Sequence, residues 1–100
     1  MGYKLNVHDL KPGMSHVNMT VKVLEVSESK QMVTSAGIEH EILELNVGDK
    51  SGSIKLVLWD EKIIPNLKTG DKVIIENGFV TSFKGAWRIN VGRYGEAKKI

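Results

Sequence analysis

The sequence predicts an all-β domain, five short strands closed into a small barrel with one short helix between the third and fourth. Three observations carry this reading. Apolar and polar residues alternate through most of the chain with β-branched enrichment. Turn-forming residues interrupt the alternation at short intervals, and no long helical period appears. At 100 residues, with 41% hydrophobic and 26% charged side chains and two prolines, the chain has the composition of one folded domain rather than a disordered segment. That domain spans residues 1–100, with its core over about 7–93.

Pro12-Gly13 marks the turn that feeds the first strand, residues 17–26, in which Val17, Met19, Val21 and Val23 share one face. Residues 27–37 are polar and read as an exposed hairpin connection. The second strand covers about residues 41–47, with Leu43, Leu45 and Val47 inward and Glu44 and Asn46 outward. Asp49-Lys50-Ser51-Gly52 is a turn cluster, and residues 53–59 form the third strand with Ile54, Leu56 and Leu58 in the core. Asp60 is placed to N-cap one helical turn over residues 60–64, which Pro65 ends. Thr69-Gly70-Asp71 restarts the sheet. The fourth strand runs over residues 72–83 and turns at Lys84-Gly85 into the fifth, residues 87–91. Five strands with a lone helix in that position is the layout of the OB-fold, with an SH3-like barrel as the nearest competitor. A long first strand that bends to serve both halves of the barrel favours the OB-fold.

Charge is unevenly spread. Residues 1–50 carry five Lys/Arg against seven Asp/Glu, and residues 51–100 carry nine against five, so the halves differ as −2 against +4. A basic C-terminal surface follows, suited to a phosphate-rich partner. The absence of cysteine excludes disulfides, thiolate catalysis and Cys-based metal sites, and fits a cytoplasmic protein. No apolar stretch approaches a membrane span, so no membrane partner is expected.

Strand parity isolates several aromatics. With Ile54, Leu56 and Leu58 inward, Lys55, Val57 and Trp59 point outward, and an exposed Trp needs either a ligand or a fold-back onto Ile63 and Ile64. In the fourth strand Val73 and Ile75 face the interior, and Asn77-Gly78 reads as a bulge beyond which parity slips. Phe79, Thr81 and Phe83 then share a face, and spacing leaves open whether it is core or surface. Trp87, Ile89 and Val91 make a plain core pattern, with Arg88 and Asn90 outside. Exposed rings beside Lys55, Lys84 and Arg88 suit single-stranded nucleic acid, whose bases stack on flat faces while cations follow the phosphates. The same patch also suits a protein partner.

The strings from Leu10-Lys11-Pro12-Gly13-Met14 through the first strand, Val47 to Trp59, Leu67-Lys68-Thr69-Gly70-Asp71, and Glu76 to Gly85 together resemble the single-OB, replication protein A-like single-stranded DNA-binding proteins of archaea and their eukaryotic DNA-damage-sensing relatives. The likeness covers about residues 7–93. It implies sequence-independent binding of single-stranded DNA in replication, repair or recombination, by stacking on Trp59, Phe79 and Phe83, with repair or replication proteins as further partners. Relatives tend to carry Trp or Tyr where Phe79 stands. Lys30, in the connection after the first strand, corresponds to a basic contact, and Lys55, Lys84 and Arg88 lie near the backbone path. Two features depart from the pattern. The 35–41 region lacks the basic hairpin tip that relatives often have, and the chain stops at Ile100 without a Gly/Arg/acid-rich tail.

Catalysis finds no support in the residues. His8, His16 and His40 are scattered with no metal-ligand spacing, and neither a phosphate loop nor a nucleophile elbow is present. No metal, cofactor or enzymatic activity is expected. The alternative functions are an OB-fold protein-interaction module of a larger assembly, or binding of single-stranded RNA through the same face.

Overall fold

The computed structural model describes residues 5–27, 29–92 and 94–100, and for Phe83 the backbone alone. Seven strands form: β1 Val17–Val26, β2 Lys30–Val33, β3 Glu39–Asp49, β4 Gly52–Trp59, β5 Lys72–Phe83, β6 Ala86–Val91 and β7 Glu96–Lys99. Five of them close a ring. β1 pairs with β3, β3 with β4, β4 in parallel with β6, β6 with β5, and β5 returns to β1. These are the five predicted strands, and the ring is the Greek-key barrel of an OB-fold.

The long first strand closes the ring by dividing its partners. Residues 17–22 of β1 pair with β5, and residues 22–26 pair with β3, with a register shift between Val23 and Glu25. Inside the barrel the alternation is realised as predicted. Val17, Met19, Val21 and Val23 meet Leu45, Val47, Leu56, Leu58, Val73, Ile75, Ile89 and Val91 in one cluster, most of them without measurable exposure. One end is plugged by the 3-10 turn Val7–Asp9 and by Leu10, which is fully buried. Asp49 anchors that plug, accepting from the Val7 N–H at 2.9 Å and from the Ser51 N–H and hydroxyl at 2.7 and 2.6 Å. Burial pushes its carboxyl upward, but these donors and the Gly52 N–H outweigh it and hold Asp49 below the ordinary carboxylate range.

Four expectations need correction or refinement. The hairpin expected over residues 27–37 carries a strand of its own, β2, paired with the N-terminal part of β3, which begins at Glu39 rather than near residue 41. The helix between the third and fourth ring strands is a single 3-10 turn, Asp60–Lys62, and Trp59 rather than Asp60 occupies its N-cap. Trp87 is not core: Ile89 and Val91 are fully buried, but Trp87 is 46% exposed. Its parity is right, but it sits near the start of β6, where the barrel ends and nothing remains to cover an indole. Finally, the C-terminal lysines are exposed but stand beside acids rather than alone. β7 lays Lys98 and Lys99 along β5, where they lie 4.0 Å from Glu76 and 3.6 Å from Asp71.

Candidate nucleic-acid interface

The Asn77-Gly78 step decides the parity that the sequence left open. Asn77 adopts a left-handed backbone (φ 56°), and the pairing to β1 jumps from Met19–Ile75 to Val17–Gly78, which inserts one residue into β5. Ile75 before the step and Val80 after it both point into the core. Phe79 therefore faces outward, and it is 41% exposed. The Phe83 side chain lies outside the described residues; its backbone pairs with Ala86 at the end of β5.

Pairing registers assemble the outer face as rows across the strands. One row runs Glu44, Val57, Asn90, Phe79; the next runs Asn46, Lys55, Arg88, Thr81; and Ile42 pairs with Trp59 beside the first. Ile42 and Val57 are nearly fully buried yet stand apart from the barrel-interior cluster, so this face has a small apolar floor of its own. Trp59 ends β4 half-buried on that floor. Its indole N–H donates to Asn90 Oδ1 at 3.4 Å, and Asn90 Nδ2 in turn donates to Thr81 Oγ1 at 3.0 Å. The His40 ring meets the indole edge-on, with centroids 5.7 Å apart and planes at 80°. The indole N–H bond and the His40 contact restrain the Trp59 ring, as a stacking platform requires.

His40 is itself held by Asp60. The Asp60 carboxylate accepts from the Glu41 N–H at 2.9 Å and lies 2.7 Å from His40 Nδ1. The Glu41 hydrogen bond and then the His40 contact hold its carboxyl below the ordinary range. The cations are arranged less simply. Glu44 is 7% exposed in the middle of the face, and its two carboxylate oxygens lie 3.2 Å from Lys30 Nζ and 3.3 Å from Arg88. Two of the four cations assigned to the nucleic-acid backbone thus converge on one acid. Lys55 is half-buried in the neighbouring row and has no acidic partner among the described residues, and Lys84 occupies the turn between β5 and β6.

Residues 10–99 match the family described as "Single-stranded DNA binding protein Ssb-like, OB fold". The chain belongs to the Ssb-like OB-fold family. It is 46% identical over 86 residues to the single-stranded DNA binding protein Ssb of Saccharolobus solfataricus, an alignment covering 86% of this chain and 57% of that protein. Against the second OB-fold domain of replication protein A from Methanococcus maripaludis the TM-score is 0.81 at 22% identity, covering 98% of this chain and 95% of that one. A crystal structure of a replication protein A domain from the same organism gives 0.74 at 26% identity, over 100% and 96%. The chain spans less than two thirds of the length of the curated relatives it matches, 57% and 65%.

In this Ssb-like chain the structure brings Trp59, Phe79, Lys55, Arg88 and Lys30 to one side of the barrel. Sequence reasoning missed Glu44, Asn90, His40 and Asp60, which orient that set. Only the polar outward positions of Glu44 and Asn90 on ring strands hinted at them. Among the described residues, no three His, Cys, Asp or Glu side chains gather as a metal site, and no helix is long and apolar enough to cross a membrane.

The Asp60 clasp makes the platform acid-sensitive. A carboxyl whose pKa falls on folding stabilises the folded form above its unfolded value, and that contribution disappears as pH drops through the lowered one. Acidification below about pH 4 is therefore expected to loosen His40 and shift Trp59 emission in a Trp87→Phe background while far-UV dichroism holds. Emission that stays constant until the whole chain unfolds would contradict it.

Proposed function

We propose that this chain binds single-stranded DNA without sequence preference, stacking bases on Trp59, Phe79 and Phe83 while Lys55 and Lys84, with Lys30 and Arg88, follow the phosphates. The work it would serve is the holding of exposed strands in replication, repair or recombination, beside repair or replication proteins. No catalytic step or cofactor enters this reading. The observation that carries it is the outward turn of Phe79 onto the face where Asn90 and His40 hold Trp59. That face lies between the β2–β3 hairpin and the 84–85 turn, the loops that frame oligonucleotides on OB-folds. Duplex binding should be weak, since paired bases hide their faces.

The affinity should depend on salt less steeply than the cation count suggests. Four phosphate contacts on a single strand give a slope near −2.8 in log K against log salt, or about a 50-fold loss between 50 and 200 mM. With Lys30 and Arg88 engaged by Glu44, fewer contacts are released to the strand and the loss should be smaller than that. Tryptophan fluorescence titration with oligo-dT at the two salt concentrations, with a duplex control, measures this. Strong quenching by the single strand alone supports the proposal; no response at low salt would assign the face to a protein partner instead.

A further inference from the structure

Beyond Phe79 the outer face continues into a small cleft of about 170 Å³, lined by His16, Asn77, Gly78, Phe79, Gly92, Tyr94 and their neighbours. Two rings stand on its rim. Phe79 lies over Gly92, where a Cβ would come within 3.5 Å of its ring, and Tyr94 is 80% exposed. The floor is tight at Gly95, whose Cβ would lie 3.0 Å from the Asn77 carbonyl oxygen and 3.2 Å from that of Glu76. Phe79 and Tyr94 both line this space and offer it aromatic surface.

The polar side of the cleft has a defined character. Asn77 Nδ2 donates to the Tyr94 carbonyl at 3.0 Å, which fixes the orientation of the amide and makes Oδ1 the acceptor facing His16. His16 Nδ1 lies 2.9 Å from that oxygen and must carry the proton. Its Nε2 is then a hydrogen-bond acceptor when the imidazole is neutral, and it has no partner among the described residues. Asn18 Oδ1 accepts from the Asn77 N–H at 2.9 Å and locks the bulge that carries the assembly.

We infer that this cleft is a nucleobase slot, in which one base stacks against Phe79 and Tyr94 and donates an exocyclic amine to His16 Nε2. Cytosine and adenine project such an amine from the ring edge. The thymine N3–H sits between two carbonyl oxygens that would face the same imidazole lone pair. The slot would add a modest preference at one position to binding that is otherwise indifferent to sequence. The inference rests on the single-stranded DNA reading above, and its test separates the two.

Labelled dC15 and dT15 are titrated by fluorescence anisotropy against the wild type, Tyr94→Ala, Tyr94→Phe, His16→Gly and Trp59→Ala. Glycine suits the left-handed backbone of His16 (φ 55°). Tyr94→Ala is expected to weaken both strands about tenfold, and Tyr94→Phe to restore them. His16→Gly should not weaken dT15 and should reduce the dC15 to dT15 affinity ratio about threefold or more relative to wild type. Comparing ratios cancels base differences at the other platforms. If the Tyr94 and His16 variants match wild type on both strands while Trp59→Ala is weakened, the slot is overturned and the strand-binding reading stands. If wild type binds neither strand, both fall.

Discussion

Replacement of Trp59 by alanine is expected to lower affinity for oligo-dT about 10- to 100-fold while the domain stays folded. Losing one stacking platform removes roughly 1–3 kcal/mol per base, and Trp59 is the most firmly oriented ring among the described residues of the face. The cost to stability should be small by comparison. A core tryptophan would lose about 3–5 kcal/mol on truncation to alanine, but Trp59 stands outside the interior cluster, at the end of β4, and Leu58 beneath it remains fully buried. Its partial burial, the long 3.4 Å bond to Asn90 and its pairing with Ile42 put the loss nearer about 1–2 kcal/mol. Anisotropy with labelled dT15 and urea denaturation of the same sample separate the two effects. Trp59→Phe should recover much of the binding, because a phenyl ring still offers a flat face. A stability loss above about 4 kcal/mol, with phenylalanine restoring stability and not binding, would make Trp59 a structural residue.

Much of this was legible because a small barrel imposes a period of two on every strand. Val17 to Val23 and Ile54 to Leu58 could be assigned to the interior from alternation, and the Asn77-Gly78 step could be read as the point where parity slips. Whether Phe79 then faced in or out depended on the direction of that slip, which only the pairing of Gly78 with Val17 settles. Trp87 shows the limit of the same rule. Alternation tells which way a side chain points, not whether anything lies there, and at the barrel end nothing does. Glu44 shows the converse, since an outward position became buried once residues 14 and 44 places away folded over it. A charge count is equally blind to pairing, and the register of β7 places Lys98 and Lys99 beside Glu76 and Asp71. Contacts between residues far apart in sequence leave no periodic trace, and the parts of the site built from them were invisible.

Glu44→Gln is expected to strengthen single-stranded DNA binding and steepen its salt dependence. An acid at the centre of a face meant for phosphates is costly to binding: a carboxylate about 6 Å from a phosphate repels it by roughly 0.7 kcal/mol in water and nearer 3 kcal/mol at an effective dielectric of 20. Its compensation is order, because it fixes Lys30 and Arg88, whose side chains would otherwise lose up to about 2 kcal/mol of rotamer freedom on engaging DNA. With the Lys30 side chain 62% exposed and the Arg88 side chain 26% exposed, the ordering gained is partial and the repulsion should prevail. Glutamine keeps an acceptor for one cation and removes the charge. Each cation released to a phosphate adds about 0.7 to the slope of log K against log salt, so two would steepen it by about 1.4. Folding stability should fall by about 1–2 kcal/mol, less than for a fully buried pair because water can reach both partners. Titrations at several salt concentrations with a parallel urea melt read both quantities. Weaker binding with an unchanged slope would mean that Glu44 presents the two cations to the strand rather than withholding them.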